Sequence, residues 1–399
     1  MKLPRPRKDI MYIPIDYRGH TYILVQDKME LTKENMLLPL SLYNFLVHLD
    51  QAPSIEDLQV RLIKENNGLL ISKDQILEII TKLDEMFLLE SERFLEKKKE
   101  IIHEFEKQSV RSYCFAGKSY PADLNQLSNF LDLILSEQKV LEDIENIKAI
   151  FAPHIDIQIG KKVYGKTYSY LQGKRFDRVV VLGIGHSLSE GIFCVTDKDF
   201  DTPFGVVKND RVSSNRLKRF GQPLLANTDF EHKFEHSIEF QLIFLKYLLK
   251  DFLVVPILCG SLFYMLSKYS REEFKKYAGS FLKELKEIIL DPTKKTLVVA
   301  GVDMSHVGPK FGHNKSVYEL KDLAKAHDLK LLDAIIKRDN EAFWRESISV
   351  NDKYNVCGFS ALATLMEVVD YKGGKLIDYD LNIEQATNSG VGFAGGILY

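Results

Sequence analysis

The chain has 399 residues, 45% hydrophobic and 28% charged, which is the composition of a globular protein of two or three domains. Its 54 basic and 56 acidic residues leave a net charge of −2, giving no electrostatic footprint for nucleic acid or an acidic membrane surface. No apolar h-region follows the basic start MKLPRPRKDI, no run reaches the length of a membrane span, and four cysteines without a CxxC pair suit reduced thiols, so a cytoplasmic protein is expected.

Residues 1–95 read as a small α+β module. Ile10–Gln26 alternates apolar and polar residues about Gly19 and predicts a hairpin. Leu42–Leu49 is apolar on most faces. Ser54 with Asp57 opens a helix over Ile55–Asn67 that Gly68 stops. Ser72 with Gln75 opens another over Lys73–Leu89, where Ile76, Ile79, Ile80, Leu83 and Phe87 recur at helical spacing. The pattern resembles winged-helix modules and the small peptide-binding domains of the PqqD type. Mixed charge on the second helix pair favours docking of a protein or peptide over reading DNA. Residues 96–109 predict a charged connecting helix, in which His103 is assigned no role.

Residues 110–399 have a different character. A turn at Ser119–Asp123 leads into an amphipathic helix marked by Leu124, Leu127, Phe130, Leu131 and Ile134. Strands are predicted over Lys148–His154 and Val179–His186, separated by a Gly/Lys/Tyr-rich segment, Gly160–Tyr170. Asp201–Gly205 reads as a tight turn. Glu235–Leu249 predicts a strong helix with Glu235 and His236 in its first turn. A strand over Leu253–Gly260 and a helix over Arg271–Ile289 follow. The apolar run Leu297–Ala300 then feeds an Asp-x-x-His loop, Asp303 to His306. Leu320–Ile336 is a further helix, and Val356–Val369 opens on Cys357-Gly358 and continues as another. Strands alternating with helices predict an α/β sheet with helices on both faces.

Several of these strands end in His, Asp or Cys, which collects polar groups at the carboxyl edge where open α/β sheets bind ligands. His154, His186, His236, the Asp303/His306 pair and Cys357 stand out. A His/His/Cys set with an open position suits zinc, iron(II) or copper. Taken singly, each has a plainer reading: a histidine bonded to backbone, or a cysteine filling core. Cys194 and Cys259, in apolar surroundings, are read as core. His236, near a helix N-terminus, is a neutral base, a hydrogen-bond donor, or a partner of Glu235 or Glu239. His306 is the acid/base candidate, with Asp303 orienting it. His232, His313 and His327 are read as surface or pocket rim. No GxGxxG, Walker A, GxSxG or HExxH motif is present.

The ordered set GKSYPAD (Gly117–Asp123), PHID (Pro153–Asp156), LGIGH (Leu182–His186), DTPFG (Asp201–Gly205), EHSIEFQ (Glu235–Gln241), VPILCG (Val255–Gly260), VDMSHVG (Val302–Gly308) and Cys357-Gly358 resembles the Memo family. The likeness is closer to its bacterial branch, the B component of the AmmeMemoRadiSam system, and covers residues 110–399. It implies a fold like that of the class III extradiol dioxygenases, a central sheet flanked by helices. It implies metal ligands at His154, His186 and Cys357, with iron(II) or copper favoured and zinc the third choice, and pocket positions at Asp303, His306 and His236. Cys357 stands where the dioxygenases use a glutamate, which argues against ordinary ring cleavage. Ile155, Asp156 and Ile157 replace the Ala-Gly-Tyr of the eukaryotic branch. The expected function is redox or dioxygenase-like chemistry on a small molecule or peptide. The rivals are a non-catalytic adaptor that docks a peptide or a radical-SAM-type or AMMECR-type partner, and hydrolysis at zinc.

Overall fold

In the computed structural model, which describes residues 3–17, 19–34, 36–136 and 144–399, the chain divides into two units, 1–107 and 108–399. Met1, Lys2 and Arg18, which belong to the basic start and to the predicted hairpin turn, lie outside the described residues. In the first unit the alternating stretch pairs as β1 (Ile10–Tyr17) and β2 (His20–Asp27), with β3 (Leu37–Pro39) on the other side of β2. Helices α1 (Leu40–Gln51), α2 (Ile55–Glu65) and α3 (Lys73–Glu85) follow. Ser54 accepts from the Asp57 N–H, and Ser72 with Gln75 forms a reciprocal capping box, as their spacing predicts. The apolar stripes of these helices close a core of Phe45, Leu49, Leu58, Leu62, Ile76 and Leu83 against Ile23 and Val25. The charged helix α4 (Glu92–Lys107) belongs to this unit.

The second unit is a mixed α/β layer structure. Its main elements in order are α5 (Leu124–Ser136), β4 (Ala149–Ala152), α6 (Ile157–Tyr168), β5 (Arg178–Ile184), β6 (Phe193–Val195), β7 (Lys208–Asn209), α7 (Arg211–Phe220), α8 (His236–Leu249), β8 (Leu253–Cys259), α9 (Arg271–Ile289), β9 (Thr296–Gly301), β10 (Asp303–Val307), α10 (Val317–Ile336), α11 (Asn340–Val350), α12 (Phe359–Val368), β11 (Gly374–Glu384) and β12 (Ser389–Leu398). The sheet runs β7-β8-β5-β9-β4-β12-β10, with β11 beside β12 and β6 beside β8. β7, β8, β5, β9 and β4 are parallel. β4, β5, β8 and β9 are mostly apolar because both faces are covered. α5, α6 and α8 pack on one face, and α9, α10 and α12 on the other. Among the described residues no helix is long and apolar enough to cross a membrane.

Parallelism brings the carboxyl ends of β4, β5, β8 and β9 to one edge, where Ala152, Ile184, Cys259 and Gly301 are the last strand residues. The N-terminus of α8 presses onto this edge. Ser237 Oγ donates to the Ile184 carbonyl at 3.0 Å and accepts from its N–H at 2.9 Å. A Cβ at Gly301 would lie 2.5 Å from the Ser237 carbonyl, and one at Gly183 would lie 2.6 Å from Ile238 Cγ1. Both are contacts that real side chains do not make, so these two glycines set how closely α8 approaches the sheet.

Two expectations are corrected, and one segment for which no element was predicted is helical. Asp303–His306 is strand β10, because the backbone pairs with β12 and does not loop away. The segment from Gly160 to Tyr168 is helical, with Asp156 capping α6 through the Gln158 N–H. His232 and His327 are buried, at 1% and 3% exposure, and not on the surface or a rim. The His232 ring bonds to the Cys194 carbonyl, and the His327 ring pairs with Glu346.

Candidate metal centre

His154 lies two residues past β4, His186 two past β5, and His236 is the first residue of α8. Their donor atoms lie within 4.8 Å of one another. The rings are close-packed: the centroids of His154 and His186 are 4.9 Å apart and perpendicular, and His186 and His236 stack at 4.9 Å and 11°. His154 is buried, whereas His186 is exposed, so the cluster opens to solvent on the His186 side.

Each ring is aimed by a second bond. The His154 Nδ1 bonds to the Gly301 carbonyl at 3.0 Å, which fixes the proton on Nδ1 and turns Nε2 into the cluster. The His186 Nδ1 lies 3.0 Å from both oxygens of Glu235, and the His236 Nδ1 lies 3.3 Å from Oε1 of the same carboxylate. Glu235 also accepts from the N–H groups of His186, His236 and Ser237, and so caps α8. Burial alone would push this carboxyl up. The charge and hydrogen bond of His186, then the charge of His236 and the Ser237 N–H, outweigh that and hold it well below the usual range. One buried carboxylate thus orients two imidazoles, the outer-shell arrangement typical of metal-ligating histidines. Glu235→Gln is expected to weaken divalent-metal binding about 10- to 100-fold, read by Co(II) titration, with the helical circular dichroism unchanged.

Cys357 precedes α12, and its Sγ lies 3.6 Å from the His154 Nε2. A thiolate at about 2.3 Å and an imidazole at about 2.0–2.1 Å from one tetrahedral ion are themselves about 3.6 Å apart, so the observed edge fits a shared cation. Burial, with Asp303 and Glu235 nearby, pushes the Cys357 thiol well up. A bound cation would reverse that balance and make the thiolate. Asp303 closes the inner wall: Oδ1 accepts from the His154 N–H at 3.0 Å, Oδ2 lies 3.6 Å from its Nε2, and its carbonyl accepts from the Gly358 N–H.

His306 is also at this wall. Burial pushes its imidazole down to about 4 against the opposing pull of Asp303, so it is neutral near pH 7. The bond that orients it comes from the Met304 carbonyl at 2.9 Å, in place of the expected Asp303 carboxylate. Phe311 stands edge-on to His306 at 4.9 Å, and Phe115 edge-on to His236 at 5.6 Å. Cys194 and Cys259 are buried in the core, as their surroundings predict.

Sequence reasoning misses the support behind α8. Glu239, 1% exposed, accepts from Arg111, from the Cys114 and Phe115 N–H groups, and from the Tyr120 hydroxyl at 2.6 Å. Arg111, fully buried, also donates to the carbonyls of His232 and Glu235. The tyrosine of GKSYPAD therefore serves the helix that carries His236. In DTPFG the Thr202 hydroxyl donates to the Gly205 carbonyl at 2.7 Å and closes a turn. Two glutamates on so apolar a helix are the available signal for this network, since a buried carboxylate requires partners.

Comparison with known proteins gives a consistent result. The sequence profile of a family described as Memo-like protein matches residues 111–397. A MEMO1 family protein of Aquifex aeolicus (strain VF5) is 32% identical over 381 residues, spanning 94% of this chain and 96% of its own length. One from Thermus thermophilus is 26% identical over 340 residues, spanning 85% of this chain and 97% of its own. One from Pyrococcus furiosus is 26% identical over 309 residues, spanning 72% and 99%.

Proposed function

The chain belongs to the Memo family, and from that premise we propose that it is a metal-dependent oxidoreductase with iron(II) or copper at the His154/His186/Cys357 centre. The observation that carries the reading is the convergence of imidazole donors and a thiol at one solvent-accessible edge, each ring held by an outer bond. The soft thiolate with two imidazoles favours iron or copper, and zinc fits the same donor types. His236 stands beside them as a further imidazole.

The metal, when bound, supplies a redox couple and an open position for an exogenous ligand. The protein's own residues supply the rest. Neutral His306 accepts a proton at Nε2 from a substrate, because its Nδ1 proton is engaged by the Met304 carbonyl. Asp303 fixes the His154 backbone and provides the negative charge that favours the protonated imidazole. Phe115 and Phe311 form apolar walls that exclude water beside the two histidines. The substrate is a small molecule or a peptide.

The test is nitric oxide as a probe of the open position. Anaerobic protein loaded with iron(II) is expected to give a ferrous–nitrosyl paramagnetic signal that His186→Ala lacks. A loaded protein with no nitrosyl signal has a closed coordination shell, and the catalytic reading then fails.

The first unit, read as a winged-helix or PqqD-like module, is proposed to dock a protein or peptide, such as a radical-SAM-type or AMMECR-type partner. Its three-stranded sheet β1-β2-β3, followed by α1, α2 and α3, supports a recognition module. If the whole protein is an adaptor instead, His306→Ala will leave partner binding unchanged and no turnover will depend on it.

A further inference from the structure

Asp303 and His306 are three residues apart on β10. On a regular strand that spacing sends two side chains to opposite faces. Here they share a face, as the register shows. Asp303 pairs with Phe393 and His306 with Val391. Phe393 and Val391 are two apart on β12 and so share a face, and their partners must share it too. β10 therefore spends one extra residue between the two pairs. The pairing shifts there, which is the signature of a β-bulge.

A bulge leaves a backbone donor without its ladder partner and is retained only when something else takes that donor. Ser305 sits in it. Its N–H donates to Asp328 Oδ1 at 3.2 Å, and its hydroxyl donates to the same oxygen. Asp328 comes from α10, is fully buried, and accepts on Oδ2 from the Tyr379 hydroxyl at 2.9 Å. Space for this carboxylate exists because the facing residue on β12 is Gly392. A Cβ there would lie 2.5 Å from Asp328 Oδ2 and 2.9 Å from the Tyr379 hydroxyl. The bulge, the missing side chain and the buried carboxylate all serve one position.

We infer that Asp328 is a positioning residue: by taking both donors of Ser305 it fixes the bulge that turns His306 onto the face of the sheet occupied by Asp303 and His154. It touches neither metal nor substrate. Its effect reaches the centre through two residues of β10, and it would not be found by searching the pocket. The inference rests on reading His306 as the group that handles the proton there. Asp328→Asn keeps an oxygen for Ser305, whereas Asp328→Ala removes it.

The experiment is ring-nitrogen NMR on the full-length, metal-free chain labelled at histidine, with the His306 signals assigned by their loss in His306→Gln. The wild type is expected to show His306 with its proton on Nδ1, bonded to the Met304 carbonyl. In Asp328→Ala that signature gives way to a water-like mixture of tautomers, while His232, whose ring bonds to the Cys194 carbonyl of β6 and to no residue of β10, stays unchanged. Asp328→Asn is expected to restore the His306 signature. Ser305→Ala, a smaller change, is expected to shift it in the same direction and decides the matter if Asp328→Ala does not fold. An unchanged His306 in Asp328→Ala or, if that variant does not fold, in Ser305→Ala overturns the inference. So do equal shifts of the His306 and His232 rings, which would mean general loosening. Failure of the wild type to bind Co(II) would instead remove the metal reading and leave this result intact.

Discussion

Metal affinity in His154→Ala and in His186→Ala is expected to fall by more than about 100-fold, beyond the 10- to 100-fold typical of losing an outer-shell partner. These two rings follow β4 and β5, the strands on either side of β9, and have their Nδ1 positions committed to Gly301 and Glu235. Each substitution removes an imidazole from the cluster. The third ligand is decided by comparing Cys357→Ala with His236→Ala in Co(II)-loaded protein. The 3.6 Å edge between Cys357 Sγ and His154 Nε2 predicts a thiolate charge-transfer band. Cys357→Ala should abolish that band and His236→Ala should retain it. A wild-type spectrum without the band, lost affinity in His236→Ala and none lost in Cys357→Ala would establish the three-imidazole set instead.

The largest effect on folding is expected from Arg111. Arg111→Met should destabilise the protein by about 3–5 kcal/mol, because it leaves the Glu239 carboxylate buried without its counter-charge. It also strips donors from the carbonyls of His232 and Glu235, which deepens the cost. Denaturant titration reads this as a lower midpoint. Arg111→Lys should recover only part of it, since one ammonium cannot span three acceptors held by a guanidinium fork. Arg111→Met combined with Glu239→Gln should cost less than Arg111→Met alone, because the amide left behind carries no charge. A double variant as unstable as the sum of its parts would mean that the pair is not coupled.

Both predictions draw on features that differ in how visible they are in the chain. The strands β4, β5 and β9 are legible because burial on both faces leaves apolar runs, and each is followed within two residues by a histidine or aspartate. His154, His186, Asp303 and His306 therefore announce themselves. The C-terminal hairpin does not. β12 reads SGVGFAGGIL, and glycine is depleted in strands and weakens them. Its glycines answer to neighbours far along the chain: a Cβ at Gly396 would lie 2.1 Å from Phe151 Cζ, and one at Gly395 would lie 1.8 Å from Thr167 Oγ1. Such needs exist only after folding. The strand β10 was concealed for a related reason, since its polar residues suggest a loop until β12 supplies the pairing and Asp328 the anchor. Glu235 and Glu239 were visible as acids on an apolar helix, but their partners come from residues 111–120 and from His186 just past β5, which no local pattern connects.

The measurement that tests the central claim most directly is elemental analysis of the full-length protein purified without oxygen. The account predicts iron or copper in stoichiometric amount, retained through gel filtration. Zinc in that amount would move the reading to hydrolysis or a structural ion. A protein that holds no metal, even after anaerobic reconstitution with iron(II), copper or zinc, would contradict the account and leave the docking function as the surviving one.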